Sequence, residues 1–420
     1  MIVSPLAGCG SHGGGSASSG GAGDQQLVIV TPNGREIQAE FTRLFTAQHP
    51  GASIKWINSG GTADNLREVE AKFKGIDPSK GIGDDLFFGG GAETFLDLEH
   101  NGLLQPLPAT YDVPDSLNGV PLHGANNDWV GSALSGFGIL ANQEVAQRDH
   151  LPAVKTWADL ADPRLFNRIE LADSRHSGSA HVAYEVILQS NGWDRGWQIL
   201  TAMAGNARIF ASSASQLPQD VANGEAVYVP SIDFYARTSV AKSGGKLAYI
   251  EPAGQLVVTP DPIGILQGAP HLDLARQFVA TVMSPEGQKL WMLPKGAPGG
   301  PQQASLYRMP ALPALYNPIP VGSLIPSNPF AAKNTRPYDS GKAALRRKVL
   351  DDLLGAVLVD NLALIKARWQ ATPDPAKLAF VPVTEAQVDQ MAAQWKDLEF
   401  AKGKTREWSE AARQHFGAGQ

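Results

Sequence analysis

The chain has 420 residues, of which 43% are hydrophobic, enough for two or three globular domains with sizeable cores. Its 35 Lys and Arg stand against 41 Asp and Glu for a net charge of -6, without a long basic run, which removes nucleic acid and an anionic membrane surface as obvious partners. No apolar stretch is long enough to span a bilayer.

Near the start, Leu6-Ala7-Gly8-Cys9 fits a bacterial lipobox, in which small residues precede a cysteine that takes a lipid. Only Met1 to Pro5 precede it, without the usual basic and apolar regions. Cys9 is the single cysteine of the chain, so it has no disulfide partner, and Gly10 to Gly23 has the composition of a flexible tether. The expectation is a lipoprotein, lipidated at Cys9 and located in the periplasm or at the cell surface, touching the membrane only through that anchor.

Gln26 to Thr31 is a short β-branched apolar run that predicts a buried strand ending in the turn Pro32-Asn33-Gly34. Ile37, Phe41, Leu44 and Phe45 recur at helical spacing up to His49-Pro50-Gly51. The unit then repeats: a strand over 52–58, the turn Ser59-Gly60-Gly61-Thr62 and a helix over 63–74. A third copy runs from Asp84-Asp85-Leu86-Phe87-Phe88 through Gly89-Gly90-Gly91 into a helix with Phe95 and Leu98. Such alternation predicts an α/β fold with a mostly parallel sheet covered on both faces.

Trp129 to Asn142 reads as an extended, glycine-spaced segment crossing between domains. Beyond it come a strand over 169–173, the turn Ser174 to Gly178 and a helix over 179–190. Strands over 208–211 and 226–231 follow, ending at Ser212-Ser213-Ala214-Ser215 and Asp233-Phe234-Tyr235. Segments 247–251 and 262–267 carry the chain back toward the first unit. Pro294 to Pro337 is rich in Pro and Gly, and helices are expected over 274–283, 285–293, 343–368 and 385–400. Trp291, Trp369, Trp395 and Trp408 are read as core anchors.

In open α/β sheets, ligands sit beyond the carboxyl ends of the strands, where amides at helix starts favour anions. Five Gly, Ser and Thr turns fall at such positions, three in the first half and two in the second. Catalytic patterns are absent: no Walker loop, no His-Glu-x-x-His, no Cys-rich zinc spacing, and a lone cysteine in the tether. His176 beside Asp173 and Arg175 reads as a polar turn that orients a ligand, because no matched nucleophile or base adjoins it.

The motifs Leu27 to Gly34, Asn58 to Ala63, Asp84 to Gly91, Leu171 to Ser179, Val221 to Glu225, Asp233 to Ala236 and Pro262 to His271, in that order, resemble the extracellular solute-binding proteins of ABC importers. The branch they are most similar to contains ferric-iron, phosphonate and phosphosugar binders, and the resemblance covers roughly residues 26 to 300. It implies a type II, two-lobe periplasmic-binding fold with a helical C-terminal extension, closing on ligand like a Venus flytrap. Residues 1–25 would be signal remnant and tether, 26–132 plus about 255–420 the first lobe with the C-terminal helices, and 133–254 the second lobe.

The resemblance implies a binding protein rather than an enzyme, a monomer without cofactor, whose partners are a small anionic ligand and an importer permease. Iron binders of the branch use adjacent tyrosines and a first-lobe histidine and acid; here these positions read Phe234-Tyr235, Glu36 and Gly90, a poor donor set for a ferric ion. No metal site is therefore expected, and a small oxyanion such as a phosphonate, phosphate ester or carboxylate is the expected cargo. The alternatives are a ferric-iron binder, a ligand-presenting sensor subunit, or an enzyme on the same fold. First-lobe donors are expected from Thr31, Asn33, Gly61, Thr62 and Gly91, and second-lobe donors from Ser174, Ser177, Gly178, Ser179, Ser213, Asp233 and Tyr235. Arg35 and Arg175 are candidates for added charge.

Overall fold

The computed structural model of the protein describes residues 26–418, so Cys9 and the tether lie outside the described residues. The first half alternates as expected: β1 (Gln26–Val30), α1 (Arg35–Gln48), β2 (Ser53–Ile57), α2 (Thr62–Phe73), β3 (Leu86–Phe88) and α3 (Ala92–His100). β1 runs parallel to both β2 and β3, with Ile29 opposite Trp56 on one side and Leu86 on the other. The apolar stripe of α1 lies on this sheet, where Phe41 meets Phe88 edge-on at 5.5 Å and Trp291 at 4.7 Å. Leu66, Val69 and Phe73 of α2 pack with Phe95 and Leu98 of α3 as a separate core. Both faces of the sheet are thus covered.

Short strands β4 (Leu104–Gln105), β5 (Ser116–Leu117) and β6 (Val120–Pro121) precede β7 (Trp129–Asn142), which is buried along its whole length. The second half then follows: α4 (Gln143–Arg148), β8 (Ile169–Ala172), α5 (Gly178–Asn191), α6 (Trp193–Asn206), β9 (Ala207–Ala211), α7 (Leu217–Asn223), β10 (Tyr228–Ile232), α8 (Asp233–Lys242) and β11 (Leu247–Ile250). The chain returns through β12 (Val258–Leu266). β7 belongs to both halves, since its residues from Trp129 to Gly136 pair with β12 whereas those from Phe137 to Asn142 pair with β10 and β11. The strand order β2-β1-β3-β12-β7-β10-β8-β9 therefore runs through both halves with β7 at the junction.

α9 (Leu272–Met283) and α10 (Pro285–Met292) cover the first half, and β13 (Met309–Pro310) adds to β7 at Leu134 and Ala133. The helix expected over 343–368 is two, α11 (Ser340–Leu354) and α12 (Leu362–Ala371), separated by one wide π-helical turn at Gly355–Val359. Asn361 fixes that break by donating its side-chain amide to the Ala356 carbonyl at 2.7 Å. α13 (Pro375–Leu378) and α14 (Glu385–Met391) follow, and the helix expected over 385–400 ends early. Asp397 starts a new one there, α15 (Leu398–Gly417), by accepting from the Glu399 and Phe400 amides.

These C-terminal helices, expected with the first lobe, meet both halves: α11 packs on α3 of the first, whereas α12 and α13 pack on α6 of the second. Trp369, Trp408 and Phe416 share one core with Ile187, Leu200 and Met203 of α5 and α6 in the second half. Trp369 also donates its indole N–H to Asn206 at 2.7 Å, and Gly205 is the residue small enough to let that ring against α6. All four tryptophans read as core anchors are buried. Among the described residues no helix is long and apolar enough to cross a membrane.

Candidate functional site

The carboxyl ends of the strands of both halves face one cleft of about 620 Å³. From the first half, the β1–α1 turn contributes Asn33 and Gly34, the β2–α2 turn Gly61 and Thr62, and the β3–α3 turn Gly90 and Gly91. From the second, the β8–α5 turn brings Ser177, Gly178 and Ser179, the β9–α7 turn Ser212, Ser213 and Ser215, and the start of α8 Phe234 and Tyr235. Phe137 of β7, Thr259 and Asp261 of β12, and Arg308 also line it, as do Asp64 in the first turn of α2 and His176.

Helices α1, α2 and α3 begin at Gly34, Gly61 and Gly91, each in extended backbone, and a glycine has no side chain with which to cap the first amides. Three helix N-termini thus border the space between the halves, each with an acid in its first turn (Glu36, Asp64 and Glu93), and Asp64 accepts from the Gly61 amide at 3.1 Å. On the opposite wall Ser177 caps α5, its Oγ accepting from the amides of Ala180 at 3.4 Å and Ala214 at 3.3 Å. Burial holds the Tyr235 phenol above its ordinary range, so it stays protonated and able to donate.

The halves touch at the mouth. Arg67 Nη1 donates to the carbonyl oxygen of Arg175 at 3.1 Å, and Gly61 abuts the carbonyl of His176. Gly178 faces Thr62, so that a Cβ placed on it would lie 3.1 Å from the threonine's Cβ.

Of the expected site residues, Asn33, Gly61, Thr62, Gly91, Ser177, Gly178, Ser179, Ser213 and Tyr235 all line the cleft. Thr31, Ser174 and Asp233 do not. Thr31 is buried beneath the first turn, accepting from the Asn33 amide at 3.0 Å and donating to the Phe88 carbonyl at 2.6 Å, which ties that turn to β3. Ser174 is buried behind its turn. Asp233 opens α8 but lies under it beside Gly136 of β7, with its carboxyl pushed up to about 7 by burial against the opposing pull of Arg237. Arg35 is exposed outside the lining, and Arg175 is held by Asp173 at 2.7 Å and Asp360 at 3.1 Å.

Arg308, Asp261 and Phe234 were missed. Arg308 lies in the Pro- and Gly-rich segment that carried no recognisable pattern; the one available signal was a lone arginine inside the apolar run Leu306-Tyr307-Arg308-Met309-Pro310. Its Nη1 pairs with Asp261 at 2.9 Å, its Nη2 donates to Asn33 at 3.2 Å, and its guanidinium carbon lies 3.7 Å from the centre of the Phe234 ring. Burial raises the Asp261 carboxyl and Arg308 opposes that rise. Among the described residues, no group of three or more His, Cys, Asp or Glu side chains is arranged to hold a metal ion.

Two α/β halves joined by a shared strand, with helix starts and hydroxyl turns facing one cleft, are the arrangement of a solute-binding protein. The chain belongs to the bacterial extracellular solute-binding protein family, whose pattern it matches over residues 85–312, more than half its length. The phosphoglycerate transport regulatory protein PgtC of Salmonella typhimurium is 26% identical over 298 residues, covering 66% of this chain and 69% of PgtC. The periplasmic binding protein AfuA of Actinobacillus pleuropneumoniae, solved with exogenous fructose-6-phosphate bound, superposes with a TM-score of 0.62 at 18% identity over 82% of this chain and 98% of its own. Iron-bound HitA of Pseudomonas aeruginosa gives a TM-score of 0.57 at 19% identity over 76% and 96%. The fold is thus the two-lobe type II periplasmic-binding fold with a helical C-terminal region.

Proposed function

We propose that the protein captures a small organic oxyanion, a phosphate ester foremost and a phosphonate or carboxylate within the same chemistry, and delivers it to an ABC permease. The observation that carries this reading is the meeting of three glycine-started helix ends, the hydroxyl turns of the second half and Arg308 on one cavity. Amide dipoles, hydroxyl donors and a guanidinium all favour negative charge; the carboxylates on the cleft, Asp64 and Asp261, do not gather into a cluster of three or more such as a ferric ion needs. A volume of about 620 Å³ suits an organic ligand rather than a bare ion. The relatives lend support, since PgtC is a phosphoglycerate transport regulatory protein and AfuA was solved with fructose-6-phosphate bound.

The lobes that close are taken as 26–132 with the return from about 255, against 133–254 carrying the C-terminal helices. Ligand touching both stabilises the closed state by its added contacts, and that state is what a permease reads. Cys9 would hold the protein by a lipid outside the cytoplasm; loss of palmitate labelling in Cys9→Ala is the expected result, and unchanged labelling would remove the anchor.

A sensor role is a second reading, favoured by the description of PgtC as a regulatory protein. A ligand-dependent transcriptional response that persists when the permease ATPase is inactivated would select it over import.

The test of the ligand class is a thermal-shift series with 3-phosphoglycerate, fructose 6-phosphate, an alkylphosphonate, a dicarboxylate and ferric citrate. Ligand at a hundredfold excess over Kd stabilises the native state by about 2.7 kcal/mol, so a true ligand raises the melting temperature by several degrees. A shift with ferric citrate alone would overturn the oxyanion reading.

A further inference from the structure

Among the described residues lining the cleft, Arg308 is the one that carries a permanent positive charge. It is 4% exposed, yet it still borders the cavity. Its partners come from three separate parts of the fold: Asp261 on β12 at 2.9 Å, Asn33 in the first-half turn at 3.2 Å, and the Phe234 ring at the start of second-half α8, 3.7 Å from the guanidinium carbon.

Two features of this arrangement go beyond a structural ion pair. The Nε–H of Arg308 has no hydrogen-bond partner although it is buried, which leaves a charged donor to be satisfied. The contact with Phe234 joins the halves, so opening the cleft removes the cation–π attraction while leaving the Asp261 and Asn33 bonds, which lie on the Arg308 side, in place. A ligand oxygen on Nε would be bound most strongly where the stack is also formed, in the closed state.

We propose that Arg308 is the charge-selecting residue of the cleft: it takes an oxyanion of the ligand on its free Nε–H and, through Phe234, makes closure depend on that charge. Uncharged analogues of the same shape would place no charge against the guanidinium and would gain little from it. This inference rests on the oxyanion reading above.

Isothermal titration of fructose 6-phosphate, 3-phosphoglycerate and uncharged fructose into the wild type, R308Q and R308M/D261N, at two salt concentrations, tests it. R308Q keeps a polar side chain opposite Asn33 and Asp261, and the double variant removes both buried charges, so the two guard against misfolding in different ways. Expected is binding of at least one phosphorylated compound by the wild type, weakened about a hundredfold in both variants, with a smaller salt dependence and no comparable loss for fructose. F234L should weaken the phosphorylated ligand less, by about tenfold, while keeping the salt dependence. Wild-type affinity retained in R308Q and R308M/D261N would overturn the role of Arg308 and leave the oxyanion reading standing. Equal losses for charged and uncharged ligands would also overturn it, as a structural effect. A wild type that binds neither phosphorylated compound but binds fructose would end both.

Discussion

Gly61 at the start of α2 lies against the carbonyl oxygen of His176 in the opposite half, so closely that a Cβ on Gly61 would overlap that oxygen. The backbone there is ordinary for any residue, with φ of -73°, so the position demands glycine only when the halves are together. Gly61→Ala is therefore expected to oppose closure rather than folding. Overpacking of this kind costs about 1–3 kcal/mol, which in the closed state is roughly a tenfold to hundredfold loss of ligand affinity. The ligand-free melting temperature should change little, because the variant relieves the contact by opening. Titration calorimetry and a thermal melt check the split; a large fall in melting temperature without a change in affinity would refute it.

Much of this cleft was legible in the sequence because its parts are local. Strand, glycine-rich turn and helix follow one another within a few residues in each copy, and a turn that ends a parallel strand has only one side of the sheet on which to sit. Asn33, Gly61 and Gly91 fell out of that rule, as did Ser177 and Ser213. Thr31 and Asp233 mark its limit, since they sit one residue beyond a strand yet point beneath the turn or helix, and periodicity does not distinguish a residue under a helix start from one above it. Arg308 was illegible for another reason. It reaches the cleft from a segment without regular pattern, by tertiary contacts to residues 275 and 74 positions away in Asn33 and Phe234. The C-terminal helices were visible as helices, but which half they cover depends on side chains such as Trp369 meeting Asn206, and their own amphipathicity does not name the partner surface.

The buried Asp233 sets a pH dependence of stability. Arg237 stands 3.6 Å from it, Arg308 also lowers its carboxyl and Asp261 raises it, but burial dominates and pushes it up to about 7. An unfolded aspartate titrates near 4, so folding takes up a proton between about pH 4 and 7, and the stability due to this group declines as pH rises through that window. Asp233→Asn removes the titration. Its melting temperature relative to wild type should therefore rise between pH 5 and pH 8. Glu170, pushed up to about 7 chiefly by burial and then by Asp220, titrates in the same window but is present in both proteins and drops out of the difference. A difference independent of pH would show that the carboxyl is ionised throughout.

α11 lies between the halves, with Arg347 close to Gly178 of the cleft. Toward the first half, Tyr338 just before it donates to Glu93 at 2.8 Å, Arg347 to Thr94 at 2.8 Å, and Lys348 pairs with Glu70 at 3.0 Å. Toward the second half it is held by the core and by His181, which pairs with Asp351 at 2.8 Å. Opening would break the first set and keep the second. Tyr338→Phe combined with Arg347→Met should then raise the radius of gyration of the ligand-free protein in solution scattering. Affinity should fall by about tenfold as the closed fraction falls. An unchanged radius with unchanged affinity would mean that α11 does not restrain the halves.

The second-half side of α11 makes a different prediction. Arg346 and Glu185 of α5 form an ion pair in which both side chains are fully buried, and Arg346 also reaches Glu385 at 2.6 Å and lies over the Trp193 ring at 5.4 Å. Taking two charges out of water costs nearly what their attraction returns, so the pair as a whole adds little to stability, whereas breaking it strands a buried carboxylate. Arg346→Met is expected to lower the unfolding free energy by about 3–5 kcal/mol, and Arg346→Met with Glu185→Leu to regain most of that loss. Urea denaturation of the wild type and both variants measures it. The double variant leaves the cleft untouched, so its ligand affinity should match the wild type even though its buried charge is gone. Equal destabilisation of the single and double variants would show that the pair acts through packing of the arginine stem on Trp193 rather than through its charge.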